Sequence, residues 1–283
     1  MEKQFYRRHL PHWQIPEAMY FITYRLYGSV PRPVIEQLKA DYRAALELAE
    51  QAALAEFRDE YGLTGMEAPL SLGLTELDFW SGTCTPEVRS GDVTLGTPPE
   101  QTSGVPVLPE RTSGVQVPPE RTSGVPPELR AKLEQIGKKK VYEERKRYFG
   151  HFDAFLDQNL NEPYWLRQPD IAQINADALH FYHQKAYKLY AFCIMSNHIH
   201  VLFEALPDAP ALEVIMRRLK RYTALQCNRA LGREGHFWEA ESYDHIVRQG
   251  EFDRILAYIL NNPVKAGLVA DWQGWPWTYC AWP

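Results

Sequence analysis

The feature that most constrains this chain is a β-type run holding two histidines one residue apart. In the stretch from Tyr190 to Glu204, YAFCIMSNHIHVLFE, strand side chains must alternate between faces. His198 and His200 therefore share one face, and Ile199, Val201 and Phe203 take the other. A divalent metal ion is the simplest reason to set two imidazoles side by side. Two half-exposed histidines on an edge strand explain the same residues, and a bare His-x-His does not decide between them.

A second element lies near the C-terminus. Residues 251–262 read as a helix closed by Pro263 and Gly267, with Phe252, Ile255, Leu256 and Ile259 forming an apolar stripe at helical spacing. Tyr258 and Asn262 are four residues apart, so the phenol and the amide lie on one face, one turn from each other. Read alone, Tyr258 fits a core aromatic and Asn262 fits a helix cap before proline.

With 45% hydrophobic residues over 283 positions, the chain can build one good core and an appended subdomain. No run approaches the ~18 apolar residues of a membrane span, and the first residues lack the apolar core of a signal peptide. Cys84, Cys193, Cys227 and Cys280 are scattered without a Cys-x-x-Cys spacing, which points to a reduced cytoplasmic setting. The net charge of −5 is unevenly spread. Residues 51–128 carry a net −8, and the remainder is mildly basic at +3, so the overall acidity does not exclude DNA as a partner.

Residues 19–26 are aromatic and β-branched and read as a first strand; residues 33–61 form a long amphipathic helix. A ten-residue unit, TSGVPVLPER at 102–111, recurs as TSGVQVPPER at 112–121 and restarts at Thr122. Such Pro-, Gly- and Ser-rich repeats bury little apolar surface, so 64–125 is expected to be a disordered loop. A second long helix is expected from Pro127 towards Leu156 with an interruption at Gly137, pairing antiparallel with the first. Then come a helix at 171–183, a strand at 187–195, the histidine strand at 198–205, a helix at 211–230, a strand at 243–248 and the tyrosine helix. This order predicts an α+β fold with a ferredoxin-like antiparallel sheet and flanking helices. Residues 1–30 and 159–283 would form the core, and 31–63 with 126–158 an inserted helical hairpin.

Together these residues resemble a family. Met195-Ser-Asn before His198-Ile-His200, followed by Tyr258-Ile-Leu-Asn-Asn-Pro-Val-Lys-Ala-Gly-Leu-Val269, is similar to the HUH single-tyrosine transposases, and within them to the REP-associated tyrosine transposases. Further parts of the resemblance are Arg7-Arg8-His9-Leu10-Pro11-His12 leading into Tyr20, Pro163-Tyr-Trp-Leu166, Gly235-His-Phe-Trp238, Tyr243-Asp-His245 through Arg248, and Trp275-Pro-Trp277. It implies a metal-dependent endonuclease and strand transferase acting on single-stranded DNA hairpins, REP-like palindromes among them, through a 5′-phosphotyrosine. The alternative within the same fold is a domesticated binder that grips hairpins without cutting them.

Carried over residue by residue, the resemblance makes Tyr258 the nucleophile and His198, His200 and Asn262 the ligands of Mg²⁺ or Mn²⁺. Arg7, Arg8, Arg147, Arg217, Arg218, Lys220, Arg221, Arg248 and Lys265 are candidates for phosphate contacts, with Lys146 beside them. Tyr148, Phe149 and Trp238 are candidates to stack on unpaired bases. Each also fits a solvated charge or a core aromatic. Trp275, Trp277 and His245 read as packing residues. A histidine-triad hydrolase would need a third histidine where Leu202 stands. No Gly-rich phosphate loop marks a nucleotide cofactor, no membrane partner is expected, and monomer or dimer stays open.

Overall fold

The computed structural model of the protein describes residues 4–7, 11–14, 17–62, 126–158 and 162–282. A small antiparallel ribbon comes first, β1 (Gln4–Arg7) against β2 (Pro11–Gln14). Then follow β3 (Met19–Arg25), α1 (Arg32–Glu60), α2 (Pro127–Gln158), α3 (Pro169–Tyr182), β4 (Tyr187–Ile194) and β5 (His198–Ala205). The chain continues with α4 (Leu212–Ala230), β6 (Tyr243–Ile246), α5 (Phe252–Leu260), α6 (Asn262–Lys265) and β7 (Thr278–Cys280).

Five strands form one antiparallel sheet in the order β6-β3-β5-β4-β7. In the four strands β3 to β6, the first lies between the last and the third, and the second lies outside the third. That is the ferredoxin-like arrangement, and it confirms the expected fold class. Strand β7 is an addition at the β4 edge, pairing Phe192 with Tyr279, and neither it nor the β1–β2 ribbon was expected from the residues.

Alternation along the central strands divides the interior into two layers. Tyr20, Ile22 and Tyr24 of β3 and Ile199, Val201 and Phe203 of β5 point to one face, where they pack with Ile171 and Leu179 of α3 and Ile215 and Leu219 of α4. Phe203 is fully buried and stacks on Tyr187 with ring centroids 4.3 Å apart. On the opposite face Phe21, Leu202 and Cys193 pack with Ile255 and Ile259 of α5, and Phe149 of α2 joins them. A bulge between Leu189 and Ala191 shifts the register of β4 on β5, so that Cys193 faces His200 across the pair. This second face carries the histidines.

Helices α1 and α2 run antiparallel, tied by the Lys140–Glu56 ion pair at 2.7 Å and by Tyr42 against Tyr148 at 5.0 Å. Tyr42, Ala49, Ala53 and Phe57 form the buried stripe of α1. The interruption expected at Gly137 does not occur. Gly137 is buried within a continuous α2, and tertiary packing outweighs the ~1 kcal/mol that a helical glycine costs. The tyrosine helix stops earlier than its sequence suggests. Pro263 has no N–H to give the Ile259 carbonyl, so α5 ends at Leu260 and α6 restarts with proline in its first turn. The repeats at 102–125, and the loop of 64–125 that holds them, lie outside the described residues.

If the Phe203–Tyr187 layer is what seats the histidine strand, Phe203→Ala should lower the unfolding free energy by about 3–5 kcal/mol in a urea titration. A loss below about 1 kcal/mol would show that the strand is held elsewhere.

Candidate active site

The turn Met195–Asn197 places the histidines. Met195 donates its N–H to the His198 carbonyl at 2.9 Å, and the Asn197 carbonyl accepts from Leu26 at 2.8 Å, closing the end of the sheet. The Asn197 amide nitrogen donates to the Leu156 carbonyl at 3.2 Å, which leaves its oxygen to accept from His198 Nδ1 at 2.7 Å. These bonds assign the tautomer: His198 carries its proton on Nδ1 and a lone pair on Nε2. His200 is held through Nδ1 by the Thr23 hydroxyl, 2.7 Å away on the neighbouring strand. Its ring stacks on Phe21 with centroids 5.8 Å apart.

Both imidazoles are fully buried, and their Nε2 atoms face each other at 3.1 Å. Burial, and then the neighbouring His200, push His198 down to about 3; burial, and then Lys265, do the same to His200. Both rings are therefore neutral at physiological pH, with no proton to shed before donating a lone pair.

Tyr258 and Asn262 come to the same place. Asn262 is fully buried with its amide nitrogen 3.1 Å from His200 Nε2, and its amide oxygen makes no hydrogen bond. Ligation through that oxygen requires the amide to turn about its last torsion. The Tyr258 ring stands edge-on to Phe21 at 5.9 Å and to His200 at 5.6 Å. Its hydroxyl donates to Asp153 Oδ2. Burial, and then Asp153, hold the phenol far above its ordinary 10, so it rests as neutral O–H.

Asp153 was not anticipated from the sequence. It sits on α2, fully buried, with Oδ1 3.4 Å from His200 Nε2 and 3.9 Å from His198 Nε2. One turn later, Asp157 Oδ1 is 3.8 Å from His198 Nε2, and its other oxygen accepts from Lys265 at 2.6 Å. Neither Oδ1 has a hydrogen-bond partner. Burial, and then Asp153, push Asp157 up to about 6, and burial raises Asp153 as well. Two acids four apart in FDAFLD, beside the buried Leu156, are the signal that a search for charges in an apolar stripe would have found.

The donor set fits a divalent cation. Asp153, His198 and His200 offer atoms all within 4.8 Å of one another, and the Asn262 amide joins them. Cis donors at the ~2.1 Å of an octahedral Mg²⁺-like site stand ~3.0 Å apart, close to the 3.1 and 3.4 Å separations here. Cys193 lies across from His200, and burial pushes its thiol up to about 12.

The basic and aromatic candidates divide by location. Arg147, Arg248 and Lys265 belong to the site's side of the sheet: Arg147 pairs with Glu144 at 2.7 Å, Arg248 lies over Tyr142 at 3.8 Å, and Lys265 bridges to Asp157. Lys146 there pairs with Glu143 at 2.8 Å. Arg217, Arg218 and Arg221 are exposed on α4, which packs against the opposite face, so the sheet separates them from Tyr258. Lys220 turns inward to the carbonyls of Glu239, Ala240 and Glu241 and to the Ser242 hydroxyl, a structural clamp and not a surface cation. Arg7 lies on β1, and Arg8 is outside the described residues.

Trp238 and Tyr148 are buried, Trp238 donating to Thr223 at 2.9 Å, which corrects the expectation that they stack on bases. Phe149 stacks on Tyr243 at 3.9 Å. It lines a cavity of about 150 Å³ with Thr23, Arg25, Arg145, Phe152 and Tyr243, next to the histidines. Trp275 donates to the Ile194 carbonyl at 3.0 Å and Trp277 packs on the core, while His245 bonds Glu251 at 2.8 Å, all packing roles as expected.

A raised carboxyl adds stability that is fully present below its ordinary value of 3.8 and lost as pH rises through its folded value of about 6. In metal-free buffer, Asp157→Asn should therefore gain stability relative to the parent on going from pH 4 to pH 7. A relative loss over that range, read by urea unfolding, would contradict the assigned environment.

Residues 166–262 match the family described as transposase IS200 like. A Haemophilus influenzae protein carrying the description REP-associated tyrosine transposase is 30% identical over 99 residues, 31% of this chain. The match spans 56% of that relative's length. A solved structure, a REP-associated tyrosine transposase bound to a REP hairpin, aligns at 21% identity and a TM-score of 0.36, over 42% of this chain and 70% of that one. No helix among the described residues is long and apolar enough to cross a membrane. The segment holding the histidine pair, Tyr258 and Asn262 is thus the one that matches the IS200-like transposase family, and a REP-associated tyrosine transposase is similar to part of this chain.

Proposed function

We propose that this protein is a single-tyrosine endonuclease and strand transferase of single-stranded DNA, acting on hairpins and dependent on Mg²⁺ or Mn²⁺. The observation that carries the reading is the convergence of Tyr258, His198, His200 and Asn262, from three elements, at one buried point. His198, His200 and Asn262 would hold the cation. When bound, it would draw charge from a phosphate oxygen and ease the approach of an anionic nucleophile.

The residues of the chain supply the rest. Thr23 and Asn197 fix the two rings so that both Nε2 atoms face inward. Phe21 and Asp153 hold the phenol at the edge of that cluster. In the reaction a bond forms between Tyr258 Oη and phosphorus, and the bond from phosphorus to the 3′ oxygen breaks. The phenol proton passes to a base and the departing 3′ oxygen takes up a proton, so the net step moves one proton from Tyr258 Oη to the 3′-hydroxyl. Phosphodiester exchange conserves the bond for rejoining, so no nucleotide cofactor is required. Arg147, Arg248 and Lys265 would meet the backbone of a strand entering on this side. The hairpin substrate is proposed from the resemblance of the chain's motifs to the REP-associated tyrosine transposases, the description that the Haemophilus relative carries. A binder that grips hairpins without cutting is the rival reading, and the complete set of Tyr258 and both histidines weighs against it.

Incubating the full chain with end-labelled single-stranded hairpins should give an SDS-resistant protein–DNA band with Mn²⁺ and none with EDTA. Tyr258→Phe should abolish the band, and His200→Ala should reduce it roughly a hundredfold or more. Hairpin binding without any band would favour the non-cutting binder.

A further inference from the structure

The proposed reading leaves Asp153 holding only the tyrosine, yet its geometry does more, and the inference here rests on that reading. We infer that Asp153, carried by the helical hairpin α1–α2, is a further ligand of the divalent cation, so that the hairpin completes the metal site. Asp153 lies outside the segment 166–262 that matches the transposase family, and the match therefore does not assign it.

Three observations point the same way. Asp153 is fully buried, yet its Oδ1 makes no hydrogen bond. A lone buried carboxylate oxygen without a donor is costly, and a cation removes that cost. That oxygen lies 3.4 Å from His200 Nε2 and 3.9 Å from His198 Nε2, and the two nitrogens lie 3.1 Å from each other. Moreover, the other oxygen accepts from Tyr258. One carboxylate thus has an oxygen in the donor cluster and an oxygen on the nucleophile, which would set the separation between cation and phenol.

The position of α2 makes this specific to the docked hairpin. The Leu156 carbonyl accepts from Asn197, the same residue that orients His198, and Lys265 of α6 bridges to Asp157. Asp157 Oδ1 stands 3.8 Å from His198 Nε2 but 8% of its side chain is exposed, whereas Asp153 is closed off. Asp153 is therefore assigned as the ligand and Asp157 as the partner that holds Lys265.

The test is Mn²⁺ affinity of the full chain, read by the electron paramagnetic resonance signal of the free ion. Asp153→Asn should weaken Mn²⁺ binding roughly tenfold or more. Asp157→Asn, which leaves the donor cluster in place and removes only the partner of Lys265, should weaken it clearly less. Parent-like affinity in Asp153→Asn, or an equal loss in Asp157→Asn, would overturn the assignment while leaving the proposed reaction standing. Should the parent chain bind no Mn²⁺, the metal-dependent reading falls and this inference with it. If Asp153→Asn does not fold, amide exchange of the parent decides: Mn²⁺ should slow exchange across 149–157, and unchanged exchange there would overturn the proposal.

Discussion

Two neutral imidazoles held nitrogen to nitrogen in a dry interior are the constraint around which this structure is arranged. Neither ring is charged, so no ion pair holds them; the Thr23 hydroxyl and the Asn197 amide do. Both holders belong to the sheet end itself, Thr23 through its register with His200 and Asn197 through the turn that starts β5. The apolar face of the same strand, Ile199, Val201 and Phe203, fixes the orientation, since a slip of one residue would exchange the histidines with the core. Fold and site are therefore set by one alternation.

The second consequence concerns α2. A long helix placed between the first strand and α3 could have been a remote appendage. Instead its last three turns roof the histidine face: Phe149 meets Phe21, Asp153 meets Tyr258 and His200, and the Leu156 carbonyl meets Asn197. The raised carboxyl of Asp157 and the lowered imidazoles have a common origin, burial of ionisable groups beneath this roof. Such groups cluster where chemistry is done.

The sheet and the histidine pair were legible because period-two alternation and a run of β-branched residues depend on local chain geometry. Tyr258 and Asn262 were legible because helical spacing puts them on one face. What was hidden is what only tertiary packing decides. The acids of FDAFLD stand out in an apolar stripe, but nothing local says that Asp153 meets Tyr258 and the histidines while Glu143 and Glu144 pair with surface cations. Lys220 reads like its neighbours Arg217 and Arg221, yet a ring of carbonyls claims its ammonium. The α4 arginines illustrate the same limit: their charge is visible in the sequence, but the side of the sheet on which they stand is not. Strand β7 escaped notice because a three-residue edge strand carries too short a pattern.

The central claim is that Tyr258 is the atom donor in DNA cleavage. The most direct test is tandem mass spectrometry of the peptide left on DNA after reaction with a hairpin and nuclease trimming. The account predicts a nucleotide mass on Tyr258, within the α5 peptide. A nucleotide on any other tyrosine, or cleaved DNA with no modified peptide, would contradict it.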